Sequence, residues 1–240
     1  MHNNSGKKRI LIKISGEALK SHSNSSIFDK ATIFNLIKQI NILYEQNYQI
    51  AIVVGGGNIY RGKIAKEIDL DDQTGDYMGM LATIINGVAL RKIIKNFHMK
   101  CKLYSALEVL SVANNINLEN MRDDYNDHVL IFSGGTSEPN FSTDTAAALR
   151  AVELNCDLVL FGKNGCDGVY DKDPNIFNDA TFLNKLSYDE VIQKELKVMD
   201  QTAFFLLKQA NLEIRVFDIL KDNAILDVIN KKNKFSVIKD

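Results

Sequence analysis

The stretch Gln49–Gly62, QIAIVVGGGNIYRG, decides the architecture of this chain. A short apolar run, Ile50–Val54, empties into three consecutive glycines, and Arg61 follows a few residues later. An Ile/Val run without polar alternation is what a strand buried on both faces looks like, which implies a parallel sheet covered by helices. Glycines at the end of such a strand let backbone N–H groups approach a ligand with no Cβ in the way. A helix beginning near Asn58 would add its positive N-terminal end. Strand, glycines, helix start and arginine together point to a phosphate site.

The commoner phosphate motifs do not fit this stretch. Gly57–Lys63 reads GNIYRGK, close to GxxxxGK[ST], but Ile64 stands where a Mg²⁺-holding hydroxyl belongs. A G-x-G-x-x-G fingerprint fails because Tyr60 takes the place of its last glycine. Alone, the glycines read equally well as a tight turn.

Outward from this point, strand-like and helix-period segments alternate. The further strands are Arg9–Ile14, Lys102–Ser105, Val129–Phe132, Leu158–Phe161, Ile214–Phe217 and Phe235–Ile238. Asp29 is placed to N-cap a helix whose Ile33, Phe34, Ile37, Ile40 and Leu43 share one face. Met78–Leu90, interrupted by Asn86 and Gly87, reads as a buried helix too short to span a bilayer. Asp144–Leu154, a helix opened near Tyr188 by the capping box Ser187–Glu190, Asp200–Gln209 and Asn223–Asn230 complete the set. The expected fold is α/β: a three-layer αβα sandwich with a mainly parallel central sheet. Nothing in the composition divides the chain, so we expect a single domain, residues 1–240, with two lobes of about 1–155 and 156–240.

Composition narrows the function. The chain has 240 residues, 45% hydrophobic and 25% charged, with a net charge of −1 and no basic block, which argues against nucleic acid as a partner. MHNNSGKKR has no apolar core of a signal peptide, and no membrane partner is expected. Cys101, Cys156 and Cys166 are an odd set without CxxC spacing, and the four histidines are scattered. A reducing, cytoplasmic setting without a protein-held metal follows.

In open α/β sheets ligands lie beyond the carboxyl ends of the strands. Lys13 falls on the side of its strand opposite the isoleucines and is followed by Ser15 and Gly16. Gly134–Asp144 supplies glycines, hydroxyls and a terminal carboxylate. Asp144 reads either as a helix N-cap or as a carboxylate that positions a lysine. Gly162–Pro174 is dense in Gly and Asp and carries Tyr170, suited to a base and a ribose. Asp76 lies ahead of the central apolar helix, aimed at the same crevice.

Together these stretches resemble the bacterial UMP kinases of the amino acid kinase family. The matching text is KRILIKISGEAL at 8–19, VVGGGNIYRG at 53–62, GDYMGMLAT at 75–83, GGTSEPNFSTDTAAALR at 134–150, DGVYDKDP at 167–174 and ELKVMD at 195–200. Six motifs in one order cover essentially the whole chain. The resemblance implies transfer of the ATP γ-phosphoryl group to UMP, directly and in line, with Mg²⁺ carried on the nucleotide. It implies that Lys13, Ile14, Ser15 and Gly16 face the ATP phosphates, with Lys13 the main charge stabiliser and Asp144 its orienting carboxylate. Gly57 and Arg61 belong with the same phosphates, Arg61 as a third catalytic residue that supplies positive charge, and Asn164, Tyr170 and Asp173 with the adenosine. Gly56 and Asp76 fall on the UMP side, Asp76 at the ribose, with the loop Thr136, Ser137, Glu138, Pro139, Asn140, Phe141, Ser142 and Thr143. Lys163 is a further cation nearby. The resemblance also implies a homohexamer, to which the Ile33–Leu43 face could contribute, and inhibition by UTP. Members activated by GTP carry a glycine-rich segment after the first strand; Ser21–Ser26 holds no glycine, so GTP activation is not expected. Two other readings stay open: a kinase of the same fold acting on a carboxylate or carbamate, and an oxyanion-storage protein without turnover.

Overall fold

The computed structural model describes residues 6–20 and 26–240. Ser21–Ser25, most of the stretch on which the GTP expectation rests, lies outside them. Among the described residues nine strands form one sheet: β1 (Arg9–Ile14), β2 (Gln49–Val54), β3 (Cys101–Ser105), β4 (Asn114–Asn115), β5 (Val129–Ser133), β6 (Leu158–Lys163), β9 (Lys185–Leu186), β10 (Glu213–Asp218) and β11 (Ser236–Ile238). Their order is β4-β3-β5-β2-β1-β6-β10-β11-β9, parallel at every step except β10–β11. A small antiparallel ribbon, β7 (Val169–Tyr170) with β8 (Phe182–Leu183), stands apart. The seven strands read from the sequence are all present. The two-residue β4 and β9 are too short to leave a pattern.

Two apolar layers sandwich the sheet, because side chains alternate between its faces. Ile10, Ile12, Ile14, Ile50, Ile52 and Val54 share one core with α1 (Lys30–Glu45), α3 (Asp72–Asn96) and α8 (Ala224–Ile229). Leu11, Ala51, Val53 and Val159 share the other with α4 (Leu118–Asp124), α5 (Thr143–Glu153), α6 (Tyr188–Gln193) and α7 (Gln201–Gln209). The short α2 (Gly62–Glu67) leans on α3. All six residues of β2 are buried, as its unbroken apolar text predicts.

Asp29 caps α1 through a bond from the Thr32 N–H, 2.7 Å. Ile33, Ile37, Ile40 and Leu43 are buried in the chain's own core, each burial contributing roughly 1.5–3 kcal/mol. Those four side chains are therefore unavailable to a second subunit, and of the expected face only Phe34 is half-buried. The central helix also departs from its reading. At 25 residues α3 is long and apolar enough to cross a bilayer, yet its inner face packs on the sheet through Leu90 and Ile94. Gly87 permits this, since a Cβ there would lie 2.7 Å from Leu103 Cδ1. The outer stripe Tyr77, Leu81, Ile85 is left exposed.

At the sheet edge away from the glycine loop, buried Tyr125 fastens α4 to the two central strands. Its hydroxyl lies 2.9 Å from the Ile10 carbonyl and 3.0 Å from the Gln49 carbonyl, sharing one proton between them. Tyr125→Phe keeps the ring and removes the hydroxyl that bridges the two carbonyls. It should cost about 0.5–1.5 kcal/mol in urea unfolding, the net worth of one hydrogen bond. An unshifted unfolding midpoint would show that the hydroxyl contributes nothing.

Candidate active site

The loops after β1, β2, β5 and β6 meet at one edge of the sheet. Lys13 pairs in register with Val53 of β2 and Phe161 of β6, and points to the face covered by α5. A charge there needs a partner, and Asp144 supplies it: Nζ to Oδ1 is 2.8 Å, with the side chains only 12% and 16% exposed. Asp144 is not the N-cap of α5. Ser142 is, its Oγ accepting from the N–H groups of Asp144 (2.9 Å) and Thr145 (3.2 Å). The helix end is satisfied by serine, which leaves the carboxylate for the lysine.

The glycine run after β2 differs from expectation in one respect. No helix starts near Asn58: the N–H groups of Ile59 and Tyr60 both turn back to the Gly56 carbonyl at 3.0 Å, and α2 starts only at Gly62. A turn over Gly57, Asn58 and Ile59, followed by Tyr60, precedes Arg61, whose extended backbone makes it the N-cap. The loop therefore offers backbone groups rather than a helix end. Gly16 has to be glycine, because a Cβ would meet Gly57 N at 2.6 Å and Gly55 O at 2.7 Å. Ile14 is buried and accepts the Gly55 N–H at 2.9 Å; half-buried Ser15 leads into the short 3₁₀ turn Gly16–Leu19. Arg61, 58% exposed, pairs with Glu17 and so ties the two loops on their solvent side, off the walls of both cavities. Glu17 has no signal in the sequence beyond its place in the first motif.

The first cavity, about 230 Å³, is walled by Gly56, Gly57, Asp76, Glu138, Phe141, Ser142 and Thr143 among the predicted residues, with Tyr60, Met80, Thr83 and Gly135 added. Asp76 sits in the second turn of α3, not ahead of it, because Asp71 caps that helix through the Thr74 N–H at 2.8 Å. Its carboxylate accepts from the Asn140 N–H at 2.6 Å, joining α3 to the loop after β5. Thr136, Ser137, Pro139 and Asn140 are off the wall. Thr136 Oγ1 bonds within the loop to Glu138, and Ser137 and Asn140 make its left-handed bends at φ 71° and 69°. Thr83 anchors the start of this loop: its Oγ1 donates to the Met80 carbonyl and accepts from the Gly134 N–H, both 2.7 Å.

The second cavity, about 510 Å³, is walled by Lys163, Cys166, Tyr170, Asp173, Val198 and their neighbours. The Tyr170 hydroxyl donates to Asp167 and accepts from Lys234, each at 2.8 Å, so its ring rather than its hydroxyl is left for a ligand. Asp173 accepts from the backbone and side chain of Asn175 at 2.9 and 3.0 Å, and Asn164 is exposed and off the wall. Lys163 donates to the Val198 carbonyl. Burial pushes its ammonium below the usual lysine range; Asp144 opposes this, and Lys13 reinforces it. A second cation thus stands close to the Lys13–Asp144 pair.

Asp200 was legible only as the start of a helix. Its carboxylate caps α7 through the Ala203 N–H (2.9 Å), and also accepts from Thr145 Oγ1 (2.9 Å) and Ser142 Oγ. Burial would raise its pKa, but these donors outweigh that and hold it below the usual carboxylate range. It clamps the first turn of α5, and with it Asp144. Among the described residues no group of three or more His, Cys, Asp or Glu is placed to hold a metal ion.

Comparison with known proteins agrees with this geometry. The profile of the amino acid kinase family matches residues 8–218. The uridylate kinase of Mycoplasma capricolum subsp. capricolum is 43% identical over 234 residues, 97% of this chain and 98% of its own. That of Mycoplasma genitalium is 44% identical over 241 residues, 99% of this chain and 98% of its own. The crystal structure of UMP kinase from Ureaplasma parvum superposes with a TM-score of 0.93 at 42% identity, covering 98% of this chain and 99% of that one. UMP kinase from Bacillus anthracis gives 0.91 at 31% identity over 97% and 96%. The chain belongs to the amino acid kinase family.

Proposed function

We propose that the protein is a UMP kinase, transferring the γ-phosphoryl group of ATP reversibly to UMP to give UDP and ADP in pyrimidine nucleotide synthesis. The observation that carries this reading is the pair of cavities on either side of Lys13 and Asp144, one reaching Thr143 and the other Lys163. ATP takes the larger cavity, its adenosine against Tyr170. UMP takes the smaller one, with Asp76 at the ribose. The lobe of about residues 1–155 then holds the acceptor and that of about 156–240 the donor base. The uridylate kinases named above, matched over nearly their full length, favour UMP over a carboxylate or carbamate acceptor.

Transfer in this site is direct and in line, without a phosphoenzyme, and rests on positioning and charge. Lys13, oriented by Asp144, meets the charge that develops on the moving phosphoryl group. Backbone N–H groups of Gly56 and Gly57 add fixed dipoles. Mg²⁺ arrives with ATP and offsets phosphate charge. UTP inhibits by occupying the acceptor site. The enzyme works in the cytoplasm as a homohexamer, and the exposed Tyr77, Leu81, Ile85 stripe of α3 is the apolar face that favours contact with a second copy.

Incubation with ATP, Mg²⁺ and each nucleoside monophosphate should release ADP rapidly with UMP and slowly with CMP or AMP. Turnover of an amino acid but not UMP would overturn the acceptor assignment. Lys13→Ala should lower kcat by ~10²–10³-fold, as loss of one preorganised donor does elsewhere. A folded variant within a few-fold of wild type would mean another group stabilises the transfer. Asp76→Asn keeps an oxygen for the Asn140 N–H while removing the charge. It should raise KM for UMP about tenfold or more and leave KM for ATP nearly unchanged, the loss expected for one charged hydrogen bond. Equal rises for both substrates would assign Asp76 to loop anchoring alone.

A further inference from the structure

Asn86 interrupts the most apolar part of α3 and is 0% exposed, a position where an amide is costly unless every polar atom finds a partner. Its Nδ2 donates to the Gly55 carbonyl and to Asn58 Oδ1, each at 2.7 Å. Asn58, 9% exposed, returns a bond from its own Nδ2 to Asn86 Oδ1 (3.0 Å) and donates to the Ile27 carbonyl (2.9 Å). All four amide hydrogens of the pair are thereby used, and a saturated buried network of this kind has one geometry.

The location of the pair gives it consequence. Gly55 is held from one side by the Ile14 carbonyl, 2.9 Å from its N–H, and from the other by Asn86. The next two residues, Gly56 and Gly57, are on the wall of the smaller cavity. A Cβ on Gly16 would meet Asn58 Oδ1 at 2.8 Å, so the pair also backs the loop after β1. Glycine loops have no side chains to lock them, and this crossing needs support from behind. Neither asparagine is on the wall of either of these two cavities, so both act on the loop from behind the glycines.

We infer that Asn86 and Asn58 are positioning residues for phosphoryl transfer, setting through Gly55 the direction of the backbone donors at Gly56 and Gly57. The inference rests on the functional reading above. A structural role alone would change folding; a positioning role changes the chemical step in protein that is folded and binds.

Asn86→Asp keeps the shape and sets an acceptor against the Gly55 carbonyl; Asn86→Leu removes all three bonds of the side chain. Steady-state kinetics with UMP and ATP should be run beside calorimetric counting of ATP sites per chain, so that kcat is expressed per competent site. We expect kcat per site to fall ~10–100-fold in both, the scale of a displacement of about 1 Å, with each KM within threefold of wild type. A kcat per site within twofold of wild type would overturn the inference, as would a fall in site number that accounts for the whole loss. If neither variant binds ATP, Asn58→Asp decides. It keeps the acceptor for Asn86 and loses two donors, and an unchanged kcat per site in it sinks the proposal. Wild-type protein that ignores UMP would instead overturn the functional reading, and the same ratios would then be taken with whichever acceptor it uses.

Discussion

A lysine on the central strand of a sheet covered on both faces has to be paired, and most of the site follows from that requirement. Lys13 lies between two strands, on the face where Leu11 and Val53 are part of the core, and its charge cannot reach open water along its own strand. Pairing with Asp144 fixes how far α5 must approach the sheet. Ala146, Ala147, Ala148 and Ala151 make that approach possible, all buried and small. Since Asp144 is committed to the lysine, the helix end has to be satisfied otherwise, by Ser142. Ser142 is in turn gripped by Asp200 from α7. One half-buried charge thus sets the placement of two helices, and removing any member leaves the others partly unsatisfied.

The parts of the fold legible in the sequence are those where burial is periodic. β1 and β2 are apolar because both faces are covered, and α1 shows its inner face at helical spacing. What the sequence concealed are cases in which two local signals compete. Asp144 and Ser142 are both good capping residues two positions apart, and only the depth of Lys13 decides between them. Asp76 looks like a helix start because glycine precedes it, but Asp71, five residues earlier, takes the cap. The glycine run resembles the entry to a helix, whereas its carbonyl at Gly56 is used twice in a turn first. Long-range polar partners leave still less trace. Asp200 reads only as a helix start and Glu17 as an ordinary surface carboxylate until the chain brings Ser142 and Arg61 to them.

The two cavities are built from different material. The larger one is framed by an aromatic ribbon whose Tyr170 is locked by Asp167, Lys234 and an edge-on Phe182 at 5.5 Å. The smaller one depends on a loop with two left-handed non-glycine residues, Ser137 and Asn140, beyond its left-handed Gly134 and Gly135, held at its ends by Thr83 and Asp76. Asparagine tolerates that backbone; serine does so at some cost. A loop bent this way and anchored at both ends presents its hydroxyls and carboxylate from a defined curve.

Phosphate binding at a helix N-terminus needs little support, because a helix is stiff and its free N–H groups already point along its axis. This fold places bare glycine backbone at that point instead, with α2 starting too late and too short to help. Bare backbone gains access to the ligand and loses stiffness, so stiffness has to come from neighbours. Here it comes from β1 through Ile14, from the close crossing at Gly16, and from α3, against which a Cβ on Gly56 would meet the Gly79 carbonyl at 2.8 Å. A long helix under the loop is therefore part of the site's rigidity, and its polar break at Asn86 follows from the same need. An apolar side chain there could fill the space but could not hold a carbonyl in place.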